Sequence, residues 1–107
     1  METFEIVARV EFQKIHPYGL VATKWGNWEK VTAPEGYVIN KDQIKIETLV
    51  EMGSENTDQK KFSDYVKIAG TNIMLPRTFE VRVAVRISKG GYGITEYKYS
   101  GVFYKLH

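Results

Sequence analysis

The sequence predicts an all-β protein: a single antiparallel β-sandwich of about eight short strands, with either a jelly-roll or an immunoglobulin-like topology. Three observations support this fold class. The last third of the chain alternates strictly between apolar and polar residues, β-prone runs recur at roughly 8–12-residue spacing between turns, and no window longer than a turn has helical periodicity. With 107 residues, the chain is expected to form one domain over 1–107.

The strongest strand signal lies in the C-terminal segment from Arg77 to His107. Apolar side chains from Phe79 to Ile87 alternate with polar or small ones, which is the pattern of a strand with one dry face and one wet face. A glycine-rich turn at 89–93 separates this strand from a second β-prone run. The two runs together predict a long antiparallel hairpin.

The first half of the chain is predicted to contain shorter strands separated by turns. His16-Pro17-Tyr18-Gly19 and Ala33-Pro34-Glu35-Gly36 both have proline at the second and glycine at the fourth position, as type I turns favour. Alternating or β-prone residues lie between and beyond these turns. The strands predicted from these signals are 3–15, 20–24, 37–39 and 44–51.

The middle of the chain predicts one long polar loop and two interrupted strands. Residues 53–61 include no apolar side chain, so we expect a loop there. Residues 62–68 indicate a strand with Asp64 as an interruption. A short run at 73–75 is expected to end at Pro76, because proline cannot donate to a strand ladder.

The last strand contains a change of phase. Tyr97 and Tyr99 have one parity, whereas the apolar residues of 102–106 have the other. A bulge at Ser100-Gly101 would place all of them on one face, because an extra residue resets the alternation. The alternative leaves Tyr97 and Tyr99 on the outer face as an aromatic patch. We expect the bulge.

Composition indicates a protein of a reducing compartment. There is no cysteine, which excludes disulfides, thiolate metal sites and a cysteine nucleophile. The N-terminal residues show no signal peptide, and no apolar run reaches the ~20 residues of a membrane-spanning helix. We therefore expect a cytoplasmic protein, although a protein released from the cell without a signal peptide would show the same sequence features.

An enzyme is not expected from these residues. His16 and His107 are the only histidines, and no phosphate loop, serine nucleophile elbow, zinc-binding motif or dinucleotide fingerprint occurs. Most carboxylates fall on the wet parity of predicted strands, where a solvated face is the ordinary interpretation. We predict no catalytic residue, no cofactor and no metal site.

Two weaker signals in the sequence have ordinary surface explanations. Oxygen-bearing residues in 51–64 would suit calcium, but their spacing lacks the usual calcium-loop order, so a solvated loop is the better interpretation. Basic residues of the terminal segment, among them Arg82 and Lys98, would lie near tyrosines on the outer face of the predicted hairpin, and such surfaces can bind single-stranded nucleic acid. The net charge of +2 is too small to support that partner, and none is expected.

The best candidate site is the aromatic, turn-rich segment from His16 to Tyr37. Both tryptophans of the chain lie in Trp25-Gly26-Asn27-Trp28, and rings on loops can stack on the C–H face of a sugar. Sandwich cores commonly bury a tryptophan, so the competing interpretation places one of these two rings in the core. The predicted ligand-binding residues are Tyr18, Trp25, Asn27, Trp28, Glu29 and Tyr37.

The sequence therefore predicts a non-enzymatic, lectin-like binding module whose partner is a carbohydrate or another polar small ligand. The alternative is a structural or interaction subunit of a β-rich homo-oligomeric assembly. It would pair through an exposed edge of the C-terminal hairpin, either Arg77–Ser88 or Ile94–His107. Neither a membrane nor a nucleic acid is expected as a partner.

Overall fold

A computed structural model describes residues 2–14, 22–50, 55–87 and 91–106. All regular structure within these ranges is β, which confirms the all-β prediction, and none of them contains a helix that could cross a membrane. Four of the eight strands have 13 to 15 residues, so the strands are not uniformly short, as the predicted fold class has them. The strands are β1 (Glu2–Lys14), β2 (Ala22–Trp25), β3 (Glu29–Thr32), β4 (Tyr37–Ile39), β5 (Lys45–Val50), β6 (Glu55–Lys67), β7 (Met74–Ile87) and β8 (Gly91–Lys105).

The strands form two antiparallel sheets, each built on one long central strand. In the first sheet, β8 lies between β1 on one side and β4 and β5 on the other. In the second sheet, β7 lies between β6 on one side and β2 and β3 on the other. The short strands therefore complete the edges of sheets whose length is set by β7 and β8.

The predicted terminal hairpin is wrong, because β7 and β8 belong to different sheets. The hairpin partner of β7 is β6, and the Ile68 amide donates to the Ile73 carbonyl at 2.9 Å beside the connecting turn. Strict alternation identifies the buried face of a strand but not the strand that it pairs with. Both β7 and β8 have neighbours on two sides, so the edge assigned to Arg77–Ser88 or Ile94–His107 is not an edge.

The predicted polar loop at 53–61 is also wrong from Glu55 onward, since these residues begin β6. β6 is an edge strand, and a polar, charged edge strand discourages pairing with other chains. The interruption at Asp64 is present: its φ is 56°, and its carboxylate accepts a 2.5 Å hydrogen bond from the hydroxyl of Thr78. β7 continues through Pro76, which lies beyond the last residue that β3 pairs.

The bulge predicted at Ser100-Gly101 is wrong, because β8 is regular at these residues. The pairing of β1 with β8 runs without a shift from Glu2 opposite Phe103 to Lys14 opposite Gly91. Tyr99 is fully buried, so the alternative of an outer aromatic patch is wrong as well. A Cβ atom on Gly101 would lie 2.7 Å from the ring of Phe4, so glycine here permits close approach rather than a bulge.

Both sheets contribute to one hydrophobic core. The ring of Phe79 in the second sheet packs 6.0 Å from Phe4 and 6.2 Å from Tyr99, both of the first sheet. The protein is elongated, with extents of 60 × 21 × 18 Å, and the core follows its central strands. The buried core residues are Phe4, Ile6, Ala8, Val10, Ala33, Ile39, Phe79, Val81, Val83, Val85, Tyr99 and Phe103.

Candidate binding site

A β-bulge brings both tryptophans to the outer face of the second sheet. Trp25 lies opposite Ala84 of β7, and Glu29 lies opposite Val81, so three residues (26–28) face two (82–83). The extra residue resets the alternation between β2 and β3. The amide of Gly26 donates to the carbonyl of Val83 at 2.8 Å and holds the bulge against β7.

The two rings flank the guanidinium of Arg82. The Arg82 Cζ atom lies 4.2 Å from the ring centroid of Trp25 and 4.9 Å from that of Trp28. These distances are typical of cation–π contacts, which attract a cation to the face of an indole ring. Each tryptophan remains 36% exposed, so the expectation that one of them belongs to the core is wrong.

Polar side chains of β6 and β7 complete the cluster. Gln59 Oε1 accepts hydrogen bonds from Arg82 Nε at 2.8 Å and from Arg82 Nη2 at 2.7 Å. The Nζ atom of Lys61 lies 4.3 Å from the ring centroid of Trp28 and 3.2 Å from Glu80 Oε2. We call the six residues Trp25, Trp28, Gln59, Lys61, Glu80 and Arg82 the tryptophan–arginine cluster.

The charge of this cluster is predominantly positive. Glu80 pairs with Lys61, and the exposed Lys30 lies opposite Glu80 on β3. The hydrogen-bond partner described for Arg82 is a neutral amide, and none of the salt bridges described involves its guanidinium. The cluster therefore presents an aromatic surface beside uncompensated positive charge.

Comparisons with models of protein families, with curated proteins and with solved structures found no match to this chain.

The structure brings together some of the residues predicted for the site and separates others. Asn27 is exposed in the bulge between the two tryptophans. Glu29 is half-buried at the start of β3 and lies opposite Val81, so it shares the core-facing side of the sheet and not the face of the cluster. Tyr37 lies in the other sheet, opposite Lys105, and packs against the core. The turn 33–36 separates it from β3. Tyr18 lies outside the described residues.

Four members of the cluster were not predicted as site residues: Gln59, Lys61, Glu80 and Arg82. Alternation in β7 does place Glu80 and Arg82 on the wet face, so that part of the signal was present. Gln59 and Lys61 fell within the predicted loop, and their approach to the tryptophans depends on the pairing of β6 with β7. The register of those two strands was the missing information.

One ionisable group is buried away from the cluster. The hydroxyl of Tyr99 lies in the core, beside the carboxylate of Asp58. Burial raises the pKa of this hydroxyl well above its ordinary value, and the negative charge of Asp58 and a hydrogen bond to its carboxylate raise it further. Tyr99 therefore stays neutral in the folded protein and contributes to packing.

The acidic residues considered for calcium have other surroundings. Asp58 lies in β6 opposite Val83, and the carboxylate of Asp64 accepts a hydrogen bond from the hydroxyl of Thr78. Over the ranges that the structure describes, no group of three or more His, Asp or Glu side chains is arranged to hold a metal ion.

Proposed function

We propose that the protein is a non-enzymatic binding module that holds a carbohydrate on the tryptophan–arginine cluster. The observation that carries this proposal is the pair of half-exposed indole rings, Trp25 and Trp28, flanking the guanidinium of Arg82 on the outer face of a sheet. Exposed aromatic rings beside hydrogen-bonding groups are the two elements that sugar recognition requires.

Each part of the cluster suits a different part of a sugar. The indole rings offer apolar surface for the C–H face of a pyranose, and burying that surface favours binding. Arg82 and Lys61 provide donors for hydroxyl oxygens, while the amides of Gln59 and the exposed Asn27 can both donate and accept. These polar groups would determine the orientation of a ring stacked on the tryptophans.

The cluster is also ordered before a ligand arrives. The guanidinium contacts both indole rings and donates twice to Gln59, and Lys61 contacts both Trp28 and Glu80. Side chains held in this way lose little conformational freedom on binding, which improves affinity. The long strands β6 and β7 provide a rigid base for Gln59, Lys61 and Arg82.

The two sheets are proposed to form a β-sandwich of the jelly-roll type. The first strand pairs with the last, and β2 pairs with β7, which is the winding expected of a roll. In an immunoglobulin-like sandwich the first two strands share a sheet, whereas here β1 and β2 do not. A crystal structure in which β1 pairs with β2 would contradict this assignment.

Intrinsic fluorescence tests the binding proposal, because both tryptophans of the chain lie in the cluster. We expect one class of sugar to shift or quench the emission of the pure protein in a saturable manner. Trp25→Ala and Trp28→Ala should each abolish that response while the far-ultraviolet circular dichroism remains that of a folded β protein.

Tyr37→Phe is the matched control, because it alters an aromatic side chain of the other sheet and leaves the cluster unchanged. Its titration should superimpose on that of the unaltered protein. A panel of neutral and acidic sugars that produces no saturable change, by fluorescence or by calorimetry, would refute carbohydrate binding.

A further inference from the structure

We infer that the carbohydrate is an acidic one, carrying a carboxylate or sulfate group, and that Arg82 binds this group. The inference rests on the proposed function, because it specifies the ligand of the same cluster. It starts from a guanidinium that contacts two exposed rings and has no carboxylate among its described hydrogen-bond partners.

The hydrogen bonds described for Arg82 leave part of its guanidinium available. A guanidinium carries five N–H donors in one plane. Nε and Nη2 donate to a single oxygen, Oε1 of Gln59, which accounts for two of the donors. One N–H of Nη1 and the remaining N–H of Nη2 lie side by side at the far end of the guanidinium. Two such parallel donors can bind both oxygens of a carboxylate, or two oxygens of a sulfate.

The orientation of this group is fixed by its neighbours. Contacts with Trp25 and Trp28 hold the guanidinium against the rings, and Gln59 holds its Nε edge in place. A sugar stacked beside these rings would therefore direct an acidic substituent toward the remaining donors. Partial exclusion of water by the indoles strengthens such a charged contact.

The surrounding charges favour an anion as well. Lys61 is partly neutralised by Glu80, but Lys30 on β3 is exposed and lies opposite Glu80 on the same face. The carboxylate described within the cluster, Glu80, is engaged by Lys61 at 3.2 Å and is therefore a weak competitor for Arg82. A neutral sugar would leave the Arg82 charge uncompensated, whereas an acidic sugar would neutralise it.

Matched pairs of sugars test this inference directly. We would titrate the full chain with glucose against glucuronate, galactose against galacturonate, and N-acetylglucosamine against its 6-sulfate, following tryptophan emission. Each pair differs in one acidic group. We expect the acidic member of the pair that binds to have a dissociation constant at least about tenfold lower at low salt, since charge-assisted hydrogen bonds are the stronger ones.

Three variants identify the group responsible. Arg82→Gln should remove the preference, while Arg82→Lys should retain part of it, because lysine keeps the charge but not the planar donors. Lys45→Gln is the matched control: it removes one positive charge from an exposed position of the other sheet. Lys45→Gln should change the ratio of affinities for the acidic and the neutral sugar by no more than about twofold. If it lowers this ratio as much as Arg82→Gln does, the preference comes from the overall charge of the protein and not from Arg82.

The outcomes separate the two proposals. Equal affinity for neutral and acidic partners, or a preference that survives in a folded Arg82→Gln protein, overturns the acidic-ligand inference and leaves carbohydrate binding intact. Binding of no sugar overturns both. Sodium sulfate serves as a further competitor in the titration. If sulfate displaces the best acidic sugar at equal concentration, the site recognises an anion and the sugar ring contributes nothing, which overturns both proposals.

Discussion

Trp25 and Trp28 are three residues apart in the sequence, yet both rings contact the guanidinium of Arg82. In a regular strand an odd spacing would place the two side chains on opposite faces. The bulge at 26–28 removes that constraint, and within it Gly26 lies against β1 of the other sheet. A Cβ atom on Gly26 would lie 2.5 Å from Cγ2 of Val10 in β1.

Gly26→Ala is therefore expected to destabilise the protein. The added methyl group would overlap Val10 and would also approach the carbonyl oxygen of Arg9 at 3.2 Å, so the bulge must shift. Overpacking of this kind costs about 1–3 kcal/mol of the free energy of unfolding. Urea unfolding followed by circular dichroism would measure the loss, and tryptophan emission would report displacement of the two rings.

A double-mutant cycle with Val10→Ala distinguishes overlap from other causes. Val10 is buried in the core, so its truncation has a cost of its own. Because that truncation also makes room for the new methyl group, the double variant should be more stable than the two single losses predict. Additivity to within about 0.5 kcal/mol would show that the two positions do not interact.

The buried faces of the long strands were predictable, whereas the partners of those strands were not. Alternation assigns Phe79, Val81 and Val83 to the dry face, and the structure buries all three. The same pattern suits a strand paired with any neighbour, so it could not separate a β7–β8 hairpin from the observed β6–β7 pair. The second half of β6 agrees with the strand predicted at 62–68, whereas residues 55–61 of the same strand lack the apolar periodicity on which the prediction depends.

The candidate site was predictable only in part for a related reason. The tryptophan pair and its loop position are visible in the sequence, and so is the wet parity of Arg82. Their contact depends on a bulge and on the pairing of β2 and β3 with β7, which sequence alternation does not encode. Tyr37 was grouped with the tryptophans by proximity in sequence, but the turn 33–36 carries the chain into the other sheet.

Gly101→Ala should destabilise the core beside Phe4. The new Cβ atom would lie 2.7 Å from two atoms of the Phe4 ring, which stacks on Phe103 at 5.1 Å and packs against Phe79 at 6.0 Å. A ring with neighbours on both sides cannot move away without disturbing them. We expect a loss of about 1–3 kcal/mol in urea unfolding.

Phe4→Leu provides the companion measurement for this position. In the Gly101→Ala background it should restore part of the loss, because leucine occupies less of the contested space. Gly36→Ala serves as the contrast, since Gly36 has a φ of 84° and open space around it. Any loss there comes from backbone strain, and Phe4→Leu should not relieve it. Relief of both variants alike would argue against a local clash at Gly101.

Substitutions of Asp64 should rank in the order Asn, Gly, Ala from least to most destabilising. Asp64 adopts a left-handed φ of 56° and accepts a hydrogen bond from the buried hydroxyl of Thr78. Asparagine tolerates this backbone conformation and keeps an acceptor, glycine keeps only the conformation, and alanine keeps neither. We expect Asp64→Ala to lose about 1–3 kcal/mol in thermal or urea unfolding. A glycine variant less stable than the alanine variant would contradict the conformational part of this argument.

Tyr99→Phe should gain stability relative to the unaltered protein as pH rises, because it removes a buried hydroxyl beside the carboxylate of Asp58.

The advantage of this variant should grow at alkaline pH. The pKa of Tyr99 is raised in the folded state by burial and by Asp58, whereas in the unfolded chain it is near the ordinary value of 10.0. Above that pH the unfolded state releases a proton that the folded state retains, so the Tyr99 contribution to stability falls as pH rises, by about 1.4 kcal/mol per pH unit. Phenylalanine has no such proton, and unfolding in urea between pH 7 and pH 11 should show its advantage widening from about pH 10.

Tyr65→Phe, which removes an exposed hydroxyl, is the matched control. If the difference between Tyr99→Phe and the unaltered protein stays constant over this range, Tyr99 ionises in the folded state and is not buried as described.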